Sequence, residues 1–280
     1  MPSLQSQTVL VTGCSTGIGR AVARELKLAG HRPFATARKI DTLAELAVEG
    51  IETLPLDVDD AKSVAAAVGA VTERAGGIDV LVNNAGVNSF GPLMELGVDE
   101  VRAVFETNVV GLVAMTKAVF PGMAQRRSGR IVNVGSVVGL LPTPFAAAYC
   151  ASKAAVHMLS EVLRMEAAPF DVDVVVVQPG GVESNIAANG SRGLERFVAP
   201  GSRYHLAYEG IKKRAFASQK GAMPTTEFAR QLVKKAFANP APRVIRLGTG
   251  SDTLPKLARM PGAVRDQILS SRYELSKIRG

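Results

Sequence analysis

Residues 8–19 read Thr8-Val-Leu-Val-Thr-Gly-Cys-Ser-Thr-Gly-Ile-Gly19. Thr8 to Thr12 is a short apolar, β-branched run, the pattern of a buried strand, and Gly13 ends it. A helix is predicted from Ile18 to Ala29, because Ala21, Val22, Leu26 and Ala29 recur at helical spacing, and Gly30 stands where a helix stops. The stretch is therefore strand, glycine-rich turn, helix. Glycine permits a sharp turn and lets the backbone approach a ligand, and the start of a helix offers free N–H groups and a positive dipole end. A phosphate is the natural occupant, with Gly13, Ser15, Thr16, Gly17, Ile18 and Gly19 as candidate contacts.

The same alternation continues outward. Strands are predicted at Arg32 to Ala37, Ile51 to Leu56, Asp79 to Asn83, Arg130 to Val134, Asp171 to Val177 and Val244 to Leu247. Helical patterns separate them at Leu43 to Val48, Val64 to Ala75, Val98 to Ala124, Ala147 to Ala167 and Thr225 to Ala238, with Pro121 suggesting a break near the end of the long third one. Val174 to Val177 are four consecutive valines, as in a strand covered on both faces. Strand–helix alternation with right-handed crossovers predicts an α/β fold, a doubly wound and mostly parallel seven-stranded sheet in a single domain, 1–280. Residues 180–224 are rich in Gly, Ser and Arg with weak periodicity, and Pro255 and Pro261 divide the tail into short pieces.

Composition narrows the function. Aromatics are 5% and tryptophan is absent, which argues against a stacking platform for nucleic acid. Cys14 and Cys150 are far apart and lack metal-ligand spacing, so neither a metal site nor a disulfide framework is expected. The start, Met1 to Gln7, has no basic leader region, and no run of about 18 uncharged apolar residues is apparent, so a reducing cytoplasmic setting is expected. The net charge is +8, but residues 203–280 carry 16 Lys+Arg and 5 Asp+Glu, and the rest of the chain is net acidic. That basic quarter would suit an anionic lipid surface, an anionic substrate or plain solvation. Lys212, Lys213 and Arg214 form one cluster, and Val264, Ile268 and Leu275 a potential apolar stripe near Arg265, Arg272 and Lys277.

The turn spacing is Gly-x-x-x-Gly-x-Gly. Together with Asn83-Asn-Ala-Gly86, Tyr149-Cys-Ala-Ser-Lys153 and Pro179-Gly-Gly-Val-Glu-Ser184, it resembles the short-chain dehydrogenase/reductase family. The Gly-Cys-Ser-Thr-Gly turn and the run into Lys153 are similar to its branch with 17β-hydroxysteroid dehydrogenases, retinal reductases and acyl-dihydroxyacetone-phosphate reductases. The resemblance implies a Rossmann-like sheet with hydride transfer between nicotinamide and a carbonyl carbon. It implies Tyr149 as proton donor or acceptor and Lys153 as the cation that lowers its pKa and holds the ribose. It implies Ser136 on the substrate oxygen, and Asn108, through backbone distortion and a held water, as a relay behind Lys153. The further cofactor contacts it implies are Asp57, Val58, Asn83, Ala85, Gly86, Pro179, Gly180, Val182 and Ser184, the last in place of a threonine. It also implies a substrate loop, placed at 183–224; the charge distribution marks 248–280 as a basic extension.

Ala37 occupies the position where NAD enzymes commonly carry an acid, and Arg38 and Lys39 follow. A guanidinium there suits a 2′-phosphate, so the expected cofactor is NADP(H). Several residues of the run Val137 to Phe145 should border the reacting carbonyl, with Val87 and Phe90 near it, which favours a small hydrophobic carbonyl or alcohol substrate. His31, His157 and His205 are not assigned to the chemistry; His157 is expected at a packing or subunit contact. A homodimer is expected through the helices at 98–124 and 147–167, a tetramer being the other option. The competing readings are a dinucleotide-binding sensor without catalysis and a peripheral membrane-binding module, which the basic tail could also serve.

Overall fold

The computed structural model describes residues 6–279; the first five residues, part of the start read for a leader, lie outside them. Seven strands form one sheet: β1 Thr8–Val11, β2 Arg32–Ala37, β3 Glu52–Pro55, β4 Val80–Asn83, β5 Gly129–Val134, β6 Val172–Pro179 and β7 Val244–Leu247. The order is β3-β2-β1-β4-β5-β6-β7, and every pairing is parallel. The eleven helices among the described residues are α1 Gly17–Leu28, α2 Ala44–Val48, α3 Ala61–Ala75, α4 Val98–Phe105, α5 Gly111–Arg126, α6 Ala147–Ala167, α7 Ile186–Gly190, α8 Tyr208–Ala215, α9 Thr225–Ala236, α10 Leu254–Ala258 and α11 Gly262–Arg272.

Strand alternation divides the core into two layers. Val9, Val11, Val80, Val82, Val132, Val175 and Val177 face α1 and α9. Leu10, Leu81, Ile131, Val172 and Val174 face the other way, onto Val64, Ala67 and Val71 of α3 and Met115, Val119 and Met123 of α5. A sheet covered on both faces leaves its strands apolar on both sides, which is why β6 reads as a valine run. Chain order reverses between β1 and β4, so a crevice opens beyond their carboxyl ends.

A third apolar cluster lies apart from the sheet. It joins Phe90, Leu96, Leu141, Phe145, Leu194, Phe197, Ala207, Ile211 and Ala215 to Leu269 and Tyr273 of the tail. The span 180–224 is thus less irregular than its sequence suggests. Ile211 and Ala215 of α8 and Ala207 just before it make a buried stripe at helical spacing, masked in sequence by the charged residues between them. The tail docks against α8 so closely that a Cβ on Gly210 would lie within 2.5 Å of the Tyr273 carbonyl carbon.

Three expectations need correction. Pro121 does not break the helix, and α5 continues to Arg126. The ring sits on the exposed side, above Lys117, so the carbonyl that loses its hydrogen bond faces water. The joined run Val98–Arg126 is 29 residues long, and its most apolar window has a mean hydropathy of 1.4, enough by length and composition to cross a membrane. Its charges gather at the ends, leaving only Lys117 within 107–125. Here Leu112, Met115, Val119 and Met123 are buried in the fold. Finally, the tail stripe is split: Val264 and Ile268 are exposed, Leu275 packs on the third cluster, and the buried anchors are Leu269 and Tyr273.

Candidate active site

The crevice beyond β1 and β4 is a cleft of about 670 Å³. A larger groove of about 1140 Å³ lies behind the Val138–Pro144 segment, against α11, and is lined by neither Ser136, Tyr149 nor Lys153. Val137, Val138, Leu141 and Thr143 line the cleft, while Gly139, Leu140, Pro142 and Pro144 line the groove instead.

The glycine-rich turn forms one wall. Thr16 precedes α1 without capping it by a side-chain hydrogen bond, and the first turn holds no acid. The first-turn N–H groups lack intrahelical partners, and Thr16, Gly17 and Ile18 line the cleft. Gly13 has a φ of +73°, and a Cβ on it would lie 2.8 Å from the Ala85 Cα. This close approach is fixed by Thr12, whose hydroxyl accepts from the backbone N–H groups of Asn84 at 3.0 Å and Ala85 at 2.9 Å. Asn84 returns its side-chain amide to the Thr12 carbonyl at 2.9 Å. Thr12 and Asn84 were not singled out from sequence, because neither side chain needs to touch a ligand to shape its site.

At the other end, Ser136 caps a 3₁₀ turn, its Oγ accepting from Val138 N–H at 3.3 Å. Tyr149 and Lys153 are one turn apart on α6, with Nζ 5.7 Å from the phenol ring centroid. The Lys153 ammonium is buried and donates to the Val134 carbonyl at 2.8 Å. Burial lowers its pKa to about 8. Burial also raises the Tyr149 phenol to about 12, against a downward pull from Arg214 and from the Ser136 hydroxyl. The phenol still opens onto the cleft. It is therefore protonated at neutral pH, the form that can donate.

Asn108 lies where the long helix loosens into a π-helical turn, Glu106–Val110, between α4 and α5. The local unwinding turns its buried side chain toward the segment after β4. Oδ1 accepts from Val87 N–H at 2.8 Å, and Nδ2 donates to the Val87 carbonyl at 2.9 Å and to Ser152 Oγ at 3.0 Å. Asn108 thus braces the strand end against α6 and does not itself line the cleft.

Most residues singled out from sequence line this one cleft: Gly13, Ser15, Thr16, Gly17, Ile18, Arg38, Asp57, Val58, Ala85, Gly86, Ser136, Tyr149, Lys153, Pro179, Gly180, Val182 and Ser184. Two further ones do not. Gly19 sits behind the turn, where a Cβ would meet Asn84 Nδ2 and the Gly13 carbonyl. Asn83 points into the sheet layer, donating to Thr116 Oγ1 at 3.2 Å and Asn133 Oδ1 at 2.9 Å. Its place on a strand dictates this, since alternate side chains leave on opposite faces. His157 is nearer the site than expected: its Nε2 accepts from Ser136 N–H at 3.4 Å, so it makes a packing contact inside the fold. The basic cluster at Lys212–Arg214 is also divided, because Arg214 turns inward and is buried.

A family model described as short chain dehydrogenase matches residues 7–194. The chain belongs to that family. The uncapped α1 terminus, the Gly13 approach and the length of the cleft fit the NAD or NADP that these oxidoreductases bind. Among its relatives is dehydrogenase/reductase SDR family member 7B of Bos taurus, 34% identical over 74% of this chain and 65% of that protein. The match to 17-beta-hydroxysteroid dehydrogenase type 1 of Homo sapiens is 44% identical over 63% of this chain and 57% of that one. The NADPH-dependent 1-acyldihydroxyacetone phosphate reductase of Schizosaccharomyces pombe is 38% identical over 72% of this chain and 69% of the relative. The chain thus spans somewhat under two thirds of the first two of these. A solved short-chain dehydrogenase from Streptomyces avermitilis superposes with a TM-score of 0.78 at 30% identity, covering 98% of both chains.

Proposed function

We propose that this short-chain dehydrogenase is an NADPH-dependent oxidoreductase that interconverts a carbonyl and an alcohol on a hydrophobic, lipid-, steroid- or retinoid-like substrate. The observation that carries this reading is the convergence of the Ser136 hydroxyl, the Tyr149 phenol and the buried Lys153 ammonium at one end of the cleft. The nicotinamide, when bound, supplies or takes up the hydride. Tyr149 hands its proton to the carbonyl oxygen, or takes it back from the alcohol. Ser136 donates to the same oxygen and stabilises the charge that develops there. Lys153 lowers the cost of leaving a phenolate, because a cation near the ring favours the charged form. A phenol protonated at neutral pH suits reduction.

Preference for NADPH is inferred from Arg38. It follows the end of β2, is exposed, lines the cleft and has Ala37 where an acid would repel a 2′-phosphate. The relative from Schizosaccharomyces pombe, named as NADPH-dependent, supports the same choice. Residues 183–224 and the tail supply the substrate wall through the third apolar cluster. The two long helical runs are proposed to pair in a homodimer. Met158, Leu159, Val162 and Met165 form an exposed apolar strip on α6, and Val98 and Val110 are exposed on the other run.

The test is NADPH oxidation, followed by absorbance, over a panel of steroids, retinal, acyl ketones and small aldehydes, with Tyr149→Phe as the control. Turnover that disappears in the variant supports the reading. Tight NADPH binding with no turnover of any carbonyl would favour a dinucleotide sensor instead.

A further inference from the structure

Arg214 is 6% exposed and sits on α8, at the substrate side of the cleft. Its Nε donates to Thr143 Oγ1 at 3.0 Å, and its guanidinium carbon lies 5.4 Å from the Phe90 ring centroid. Thr143 in turn meets Cys150 Sγ at 3.3 Å, and Cys150 adjoins Tyr149 in the chain. The arginine is therefore held beside the reacting end by its stem and one nitrogen. Nη1 and Nη2 have no hydrogen-bond partner among the described residues. Some exposed cations of this quarter have carboxylates: Lys212 pairs with Glu209, Arg230 with Glu227 and Lys277 with Glu274. Arg214 belongs to no ion pair among the described residues.

An unpaired buried cation is costly, and its cost falls when a counter-charge arrives. The two free Nη groups of a guanidinium form a fork matched to two oxygens of one anion. The acids that line the cleft, Asp57 and Asp59, follow β3 at the opposite end, whereas Lys220 and Arg272 line it along with Arg214. Leu141, Leu257 and Leu269 add apolar surface to the walls of the same cleft.

We infer that the substrate is an amphiphile whose carboxylate or phosphate monoester pairs with Arg214 while its carbonyl lies at Tyr149. This rests on the carbonyl-reducing reading above and adds a charged group to the substrate class.

Matched ketones test it on the NADPH-saturated enzyme: 9-oxodecanoate against its methyl ester, and 9-oxodecyl phosphate against 9-oxodecanol. Charge-assisted hydrogen bonds of ordinary strength predict a kcat/KM roughly 10–100-fold higher for the anionic member of at least one pair. The pair that shows it distinguishes carboxylate from phosphate. In Arg214→Met that ratio should fall close to one. Both members of a pair use the same phenol and cofactor, so any change at Tyr149 cancels in the ratio. A wild-type ratio near one in both pairs overturns the inference, as does a ratio that survives Arg214→Met. Should Arg214→Met fail to fold by circular dichroism, Arg214→Lys keeps a charge without the fork and should lower the ratio several-fold; an unchanged ratio overturns the inference. If no ketone is turned over at all, the carbonyl-reducing reading fails by itself. The anion site is then read from thermal shifts of the NADPH-bound protein with decanoate, decyl phosphate and decanol. A rise with an anion, lost in the variants, supports it, and no rise above that with decanol overturns it.

Discussion

The backbone N–H of Ser136 points at Nε2 of His157, 3.4 Å away, so the loop bearing one hydroxyl of the site is tied to the helix bearing Tyr149 and Lys153. The ring reaches this loop one helical turn beyond Lys153. Burial, reinforced by the Lys153 and Arg246 charges, lowers the His157 pKa from 6.5 to about 4. In the unfolded chain the imidazole takes a proton more readily than in the fold. At neutral pH His157 is largely neutral in both states and costs little, and a penalty grows as pH falls from about 6.5 toward 4.

The wild type should accordingly lose stability on acidification faster than His157→Gln, which keeps an acceptor for Ser136 but does not titrate. The difference should reach up to about 2 kcal/mol at pH 5, from 1.36 kcal/mol per pH unit. Denaturant midpoints at pH 7, 6 and 5 measure it, and parallel slopes for the two proteins would remove His157 as the cause.

Tyr149→Phe should lower kcat by about 10²–10⁴-fold, the usual worth of a positioned proton donor, with NADPH affinity nearly unchanged. Lys153→Ala should lower both, if its ammonium takes the proposed double role toward the phenol and the cofactor ribose. Stopped-flow turnover and fluorescence titration with NADPH separate the two effects.

Ala37→Asp combined with Arg38→Asp should move preference from NADPH toward NADH. A lost charge-assisted contact is worth roughly 1.5–3 kcal/mol, so the ratio of kcat/KM values should shift by tenfold or more. A ratio that does not move would show that Arg38 does not read the 2′-phosphate.

Val162→Asp should leave monomers at micromolar concentration, since it puts a charge in the middle of the exposed apolar strip of α6. Sedimentation velocity of both proteins checks this. A wild type that is itself monomeric would refute the proposed dimer.

Gly210→Ala should destabilise by about 1–3 kcal/mol, because the added methyl meets the Tyr273 backbone, which cannot rotate aside. The tail should then become the first site of limited proteolysis. Equal melting and cleavage patterns for both proteins would contradict the tight packing.

Local pattern sufficed for the parallel sheet, because the β1–turn–α1 unit and the valines of β6 each satisfy a constraint visible within a dozen residues. It sufficed also for Tyr149 and Lys153, whose proximity is one helical turn. It did not suffice for Asn83, where a motif position had to be translated into a strand face. Nor could it find Thr12 and His157, which act on backbone N–H groups distant in sequence, or the inward turn of Arg214, which looked like one more member of a solvated basic cluster. Pro121 misled because its effect depends on which side of the helix meets water, and that is decided by packing.

The third apolar cluster shares no buried residue with the two that sandwich the sheet. If the cluster forms the proposed substrate wall, substitutions at Leu194, Phe197, Ile211 or Leu269 should reshape the room for a substrate without touching the two layers that cover the sheet. Such a partition allows specificity to drift by small steps, each of them tolerable to the rest of the molecule. On that proposed role, a chain shortened before Leu269 would lose two anchors of the substrate wall, Leu269 and Tyr273.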